Sequence, residues 1–151
     1  MSDFHLMLSS QDSKQYFADN TVGYFRVKLE QPVILEGNGW HVGVCEINGT
    51  AWDVASDDTI YMFCNLTTGI QLPSNKEGLL RGMNIVRPTN THMQFHHVVY
   101  TSIQTHYIDV IEITVTVNGF VKAVGDGKVN VKSTNGPVLN TWCLLHFKLI
   151  K

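Results

Sequence analysis

Apolar residues recur at every second position over long stretches of this chain, and that spacing constrains its fold more than any other feature of the sequence. Phe25, Val27 and Leu29 alternate with the basic residues Arg26 and Lys28. Because successive side chains of a β-strand point to opposite faces, this pattern predicts a strand with one apolar face. No window sustains the apolar period of an amphipathic helix, so we expect no helix longer than about three turns.

Further runs with strand character follow along the chain and are rich in β-branched and aromatic residues. They cover residues 40–45, 59–66, 98–100, 108–117 and 142–150. Turn-forming residues separate them. The strongest hairpin signal is Asn118-Gly119, because both central residues of a type I′ turn need a positive φ. About eight strands at this spacing predict an all-β fold, an antiparallel sandwich or barrel that spans residues 1–151 as one domain.

The alternating runs also predict the core. Each expected core residue lies on the apolar side of a run or in a run that is apolar throughout. The expected core residues are Phe25, Val27, Leu29, Trp40, Val42, Ile111, Ile113, Val115, Leu145 and Phe147. The three cysteines, at positions 45, 64 and 143, are widely spaced and form no CxxC pair, so we expect reduced thiols with at least two of them buried.

Composition argues against several classes of function. Apolar residues make up 44% of the chain and charged residues 16%, which argues against disorder. The formal net charge is -2 and no basic run is present, which disfavours direct contact with nucleic acid. No apolar run reaches the length of a membrane span, and the first residues lack the pattern of a signal peptide.

The densest group of titratable side chains is His92, His96 and His97. On a helix His92 and His96 would share a face and could bind a metal ion, but the residues that follow read as a strand. No carboxylate follows nearby in the sequence, so the favoured interpretation is a polar surface or an interface histidine. A lone histidine on a strand, such as His146, is favoured as a hydrogen-bonded structural residue.

Other candidate sites are weak. Asp53, Asp57 and Asp58 cluster after Trp52, but no calcium-binding loop of the EF-hand kind is present, and a solvated turn is favoured. The sequence has no nucleophile elbow and no glycine-rich phosphate loop before a helix. We therefore expect no catalytic residue, no cofactor and no metal site. A tryptophan in a loop, such as Trp52, is a candidate for contact with a partner.

Short motifs occur in a fixed order at both ends of the chain. They are Phe4, Leu8-Ser9-Ser10, Tyr16-Phe17, Asn20-Thr21, Phe25, Leu29, Pro32, Leu35, Trp40, Val42-Gly43, Glu46-Ile47, Ile111-Glu112-Ile113, Gly119, Gly127-Lys128-Val129 and Leu145-His146-Phe147-Lys148. This ordered set resembles a group of virion proteins found in adintoviruses and in the Polinton (Maverick) elements of animals. The sequence departs from that group in its shorter middle part and in an apparent insertion at residues 130–141.

The resemblance implies a single jelly-roll minor capsid protein of the penton type, which closes icosahedral vertices as a homopentamer beside the major capsid protein. It implies a virion location, synthesis in the host cytoplasm and assembly in the host nucleus, with a fibre or receptor as a further partner. Loop residues not needed for the sandwich are then the candidate interface: Trp52, Asp57, Asp58, Asn135 and Pro137.

Two other functions stay open at this point. A jelly-roll head that binds a receptor or a carbohydrate would place a loop aromatic such as Trp52 at a ligand groove. A cupin-like metalloenzyme would use His92, His96, His97 or His106 as metal ligands.

Overall fold

Nine β-strands form the regular structure in the part of the chain that the structure describes. The structure is a computed structural model that describes residues 3–49, 52–67, 78–87, 91–117 and 140–150. Within these residues no helix is long and apolar enough to cross a membrane. The strands are β1 (Asp3–Ser9), β2 (Tyr24–Ile34), β3 (Trp40–Gly49), β4 (Thr59–Cys64), β5 (Leu79–Asn84), β6 (His92–Gln94), β7 (Thr101–Ser102), β8 (Tyr107–Val117) and β9 (Thr141–Leu149).

The strands form two antiparallel sheets. Sheet A has the order β1-β9-β3-β6, with β7 also paired to β3, and sheet B has the order β2-β8-β4-β5. The pairings β1–β9, β2–β8, β3–β6 and β4–β5 are nested along the chain, as in one long hairpin that has been rolled into two facing sheets. This is the jelly-roll arrangement, so the predicted fold class is confirmed.

The strand count differs from the expected eight because one strand position is filled by two short strands. Both β6 and β7 pair with β3, β6 opposite Glu46 to Asn48 and β7 opposite His41 and Val42. The run at residues 98–100, which the sequence predicted as a strand, lies between them and is not part of a strand. The prediction for that run was therefore wrong.

The register between strands explains the alternation seen in the sequence. Across sheet A, Leu6 pairs with Leu145, which pairs with Val44. Across sheet B, Phe25 pairs with Ile113, which pairs with Cys64. These inward rows face one another and form one shared core.

Nine of the ten expected core residues are buried, with exposed fractions of 6% or less. Leu29 is the exception: it is only partly buried and packs at the margin of the core. The reason is that β2 loses its register with β8 between Lys28 and Val33. The expectation that Leu29 is buried in the core like Phe25 and Val27 was wrong. The predicted hairpin turn at Asn118-Gly119 lies outside the described residues.

We expect Phe147→Ala to lower the free energy of unfolding by about 3–5 kcal/mol, because it removes a fully buried ring. Phe147 stacks on Phe4 with ring centroids 4.7 Å apart, and that contact would be lost as well. Urea unfolding followed by fluorescence measures the change. The matched control is Tyr107→Ala, at a side chain that is 58% exposed, where the loss should stay near about 0.5 kcal/mol. Equal losses in the two variants would contradict this core assignment.

Candidate functional site

Trp52 is a core residue and not a surface residue. Its side chain is 1% exposed, and its Nε1–H donates a hydrogen bond to Thr141 Oγ1 over 2.7 Å. Thr141 Oγ1 in turn donates to the Val22 carbonyl oxygen over 2.7 Å. The indole lies on Gly49, where any Cβ would overlap the ring. The expectation that Trp52 faces a partner is therefore corrected. Its indole is hydrogen-bonded to Thr141 and so connects the segment after β3 to the start of β9.

Asp57 and Asp58, the two aspartates among the interface candidates, have different roles. Asp58 Oδ2 accepts a hydrogen bond from the Ala55 backbone N–H over 2.9 Å, and its own N–H donates to the Ala55 carbonyl. This carboxylate therefore closes a turn. Asp57 is exposed, has a φ of 71°, and donates its backbone N–H to the Ile85 carbonyl over 2.8 Å. Of the two, Asp57 is the side chain that is free to meet a partner.

The remaining interface candidates, Asn135 and Pro137, lie outside the described residues. The described end of the same segment is tied to β1 by Asn140. Asn140 Oδ1 accepts hydrogen bonds from the Ser9 hydroxyl over 2.6 Å and from the Ser10 hydroxyl over 3.0 Å.

The outer face of sheet A carries a polar cluster centred on His146. Its Nδ1 lies 2.7 Å from the Tyr100 hydroxyl and its Nε2 lies 3.1 Å from Asp3 Oδ2. The His5 ring stacks on it, with centroids 4.3 Å apart. His146 is thus hydrogen-bonded on both ring nitrogens, as the sequence interpretation expected of a structural histidine. Burial raises the pKa of Tyr100, so its hydroxyl remains a proton donor at neutral pH.

This cluster holds the segment at residues 95–100 over the outer face of β3. The segment fits because Gly43 has no side chain: a Cβ there would overlap Val98 and lie 2.7 Å from the Val99 carbonyl oxygen. At the other end of the segment, Arg81 from sheet B lies over the Phe95 ring at 4.1 Å and donates to the His97 carbonyl over 2.6 Å. Both sheets therefore hold the segment in place.

The three histidines that the sequence grouped together do not converge. His92 Nε2 lies 3.0 Å from Glu46 Oε2, while His96 and His97 are exposed in the segment beyond β6. Sequence reasoning missed Glu46 because it stands 46 positions before His92 and reaches it only through β3–β6 pairing. Within the described residues, no group of three or more His, Cys, Asp or Glu side chains is placed to hold a metal ion.

Two of the three cysteines are buried, as predicted, and all three are free thiols. Burial raises the pKa of Cys64 to about 12 and also raises the pKa of Cys143. Cys45 is partly exposed, and its pKa is raised by the same cause to a lesser extent, with the neighbouring Glu46 adding to the shift.

Seven large apolar side chains are strongly exposed in the described residues. Four of them lie on edge strand β1, on edge strand β2, in the segment between these strands, or on β8 opposite β2. We call the side of the sandwich formed by edge strands β1 and β2 the β1/β2 flank. The opposite side, where β5 and β6 are the edge strands, is called the β5/β6 flank and contains a cleft of about 190 Å³. The four side chains are Met7, Tyr16, Ile34 and Tyr107.

The fold and its described side chains define a jelly-roll β-sandwich protein. Comparison with known proteins adds no relative: no family model matches the chain, and no curated protein or solved structure does so either.

We expect one thiol to react in the folded protein and two to react only on unfolding. Cys64 and Cys143 are buried, so the reagent cannot reach them in the folded chain, and burial also raises their pKa, which disfavours the nucleophilic thiolate. Cys45 is partly exposed, so the reagent can reach it. Mass spectrometry after alkylation should show a single adduct, at Cys45. The Cys45→Ser control should show none until denaturant is added. Rapid labelling of all three thiols in the folded chain would contradict this description of the core.

We expect Trp52→Phe to lower the free energy of unfolding by about 1–3 kcal/mol, since it removes a buried hydrogen-bond donor while keeping an aromatic ring. Thermal or urea unfolding measures the loss. Trp142→Phe is the matched control, because Trp142 is only half-buried, on the outer face of sheet A. A larger loss from Trp142→Phe than from Trp52→Phe would count against the anchoring role of Trp52.

Proposed function

We propose that this chain is a structural protein that assembles with copies of itself: a jelly-roll minor capsid protein of the penton type, as its sequence resemblance implies. The observation that carries the proposal is the distribution of exposed apolar surface. Four strongly exposed apolar side chains lie on or beside the strands of the β1/β2 flank, and a partly apolar cleft opens at the opposite flank. Apolar surface of this kind is commonly covered in an assembly.

The β1/β2 flank and the cleft at the β5/β6 flank are two different surfaces on opposite sides of the chain, and such a pair is suited to a head-to-tail contact. Repetition of such a contact closes into a ring when the rotation between neighbours divides a full turn. The resemblance favours five copies at an icosahedral vertex, with the major capsid protein around them and a fibre or receptor as a further partner. The formal charge of -2 fits contacts between protein surfaces better than contacts with nucleic acid.

The same resemblance implies a virion location, with synthesis in the host cytoplasm and assembly in the host nucleus, and we include this location in the proposal. Asp57 remains a candidate interface residue in this proposal. Its side chain is exposed, and its loop is hydrogen-bonded to Ile85 and Val86, next to the β5/β6 flank.

The receptor- or carbohydrate-binding alternative depended on a loop aromatic at a ligand groove, and burial of Trp52 removes that support. The metalloenzyme alternative depended on convergence of His92, His96, His97 and His106. His106 instead lies with its Nδ1 3.2 Å from the Leu35 carbonyl oxygen, away from the other three.

Light scattering coupled to size-exclusion chromatography tests the proposal. At high protein concentration and near-physiological salt, we expect a species with five times the mass of the 17.0 kDa chain, and a ring in negative-stain images. Dilution should shift this species toward the monomer, because the contacts are non-covalent. A strictly monomeric chain at every concentration would overturn the proposal.

A further inference from the structure

The cleft at the β5/β6 flank opens between the two sheets, where edge strand β5 of sheet B faces edge strand β6 of sheet A. It has a volume of about 190 Å³, which suits one aliphatic side chain rather than a large ligand. Both apolar and polar side chains line it. The apolar ones are Met83, Val86 and Met93, and the polar ones are Asn84, Arg87 and His92.

We propose that this cleft receives edge strand β2 of a second copy of the chain, with Ile34 of that copy in the cleft and its Glu30 paired with Arg87. The inference rests on the proposed self-assembly and identifies the two surfaces that meet. Ile34 is 62% exposed, and Glu30 is exposed on the same strand. Val86, which is 76% exposed at the cleft, would be covered by the same contact.

Charge supports this pairing of surfaces. Arg87 lines the cleft, is exposed, and belongs to a stretch, residues 78–108, that contains no aspartate or glutamate. Carboxylates from other strands lie near this flank: Glu46 Oε2 is 3.0 Å from His92 Nε2, and Asp57 is in the loop that is hydrogen-bonded to Ile85. The formal positive charge in the cleft lining is therefore Arg87. On β2, the two basic residues are already paired within the chain: Arg26 with Asp19 at 2.7 Å and Lys28 with Asp109 at 2.8 Å. The Glu30 carboxylate is therefore the charged group of β2 that is available to pair with a neighbouring copy of the chain.

The outer edge of β2 favours contact through its side chains over backbone pairing with another strand. The Arg26 N–H donates to Asn20 Oδ1 over 2.9 Å, and the Lys28 N–H donates to Ser13 Oγ over 2.9 Å, so side chains of the preceding segment occupy these backbone groups. Beyond them the register shifts, and Pro32 has no N–H to donate. We therefore expect a neighbouring copy to contact the exposed side chains of this strand, among them Glu30 and Ile34.

Charge reversal tests the contact. Glu30→Arg and Arg87→Glu should each raise the concentration needed for half-assembly by about tenfold or more, because each places like charges in contact. The double variant Glu30→Arg/Arg87→Glu should restore assembly, since every copy then carries both reversed partners. Glu36→Arg, the same substitution at an exposed site in the turn after β2, is the matched control and should assemble like the wild type.

A mixture of the two single variants gives a second, independent test. Glu30→Arg chains and Arg87→Glu chains complement each other only when they alternate, and an odd-numbered ring cannot alternate throughout. We therefore expect the mixture to form dimers and larger even-numbered or open assemblies that neither variant forms alone, and no closed pentamer. Ile34→Ser should weaken wild-type assembly, while urea unfolding of all variants should match the wild type because every changed side chain is exposed.

The outcomes separate this inference from the proposed function. If the wild type is monomeric throughout, self-assembly itself is refuted. If the wild type forms rings and both single charge variants form them at the same concentration, self-assembly stands and the β2-to-cleft contact is wrong. Loss of assembly in both single variants without recovery in the double variant would also overturn the assigned pairing.

Discussion

Sheet A depends on a single strand, β9, which lies between β1 and β3 and pairs with both. Without β9, the first strand of the chain has no neighbour in its sheet among the described residues. The inward side chains of Cys143, Leu145 and Phe147 on β9 are each 0% exposed and belong to the core. The pairing of β9 with β1 joins residues more than a hundred positions apart, so the sheet is completed only when these two distant strands have met. Folds dominated by such distant pairings fold slowly, because loop closure precedes the stabilising contacts.

The strands themselves could be predicted from the sequence because a half-buried strand leaves its period in the local pattern. The runs at residues 108–117 and 142–150 match β8 and β9 to within one residue at each end. Leu29 shows the limit of this reasoning: the apolar period continues through it, but the register shift after Lys28 moves its side chain to the margin of the core. The local sequence pattern therefore predicts which side chains of a strand face the core, but it does not predict where the strand loses its pairing with the neighbouring strand.

The candidate sites were harder to predict because they are made by pairing across the sheet. Glu46 meets His92, and Tyr100 meets His146, only once β3 lies beside β6 and β9. Trp52 was misassigned for the same reason: the hydrogen-bond partner of its indole, Thr141, is 89 positions away. Loop position in the sequence suggested exposure, whereas the missing side chain at Gly49 makes room for the indole in the core.

The segment at residues 95–100 links the polar cluster of sheet A to the open flank. Because Gly43, Tyr100 and His146 hold this segment over β3, the strand position beside β3 is divided and β6 is only three residues long. A strand this short cannot cover the full length of the facing edge strand β5, which has six residues. The cleft at the β5/β6 flank is therefore a consequence of where the chain leaves β6.

At the opposite edge of sheet B, Ser13 and Asn20 occupy backbone groups of β2, and Pro32 removes another donor. Short or blocked edge strands discourage indefinite strand addition. In the proposed assembly, the contacts are then made by side chains of defined shape and charge. Such contacts repeat one fixed rotation between neighbours, and a ring closes when that rotation divides a full turn, whereas any other rotation gives an open helical filament.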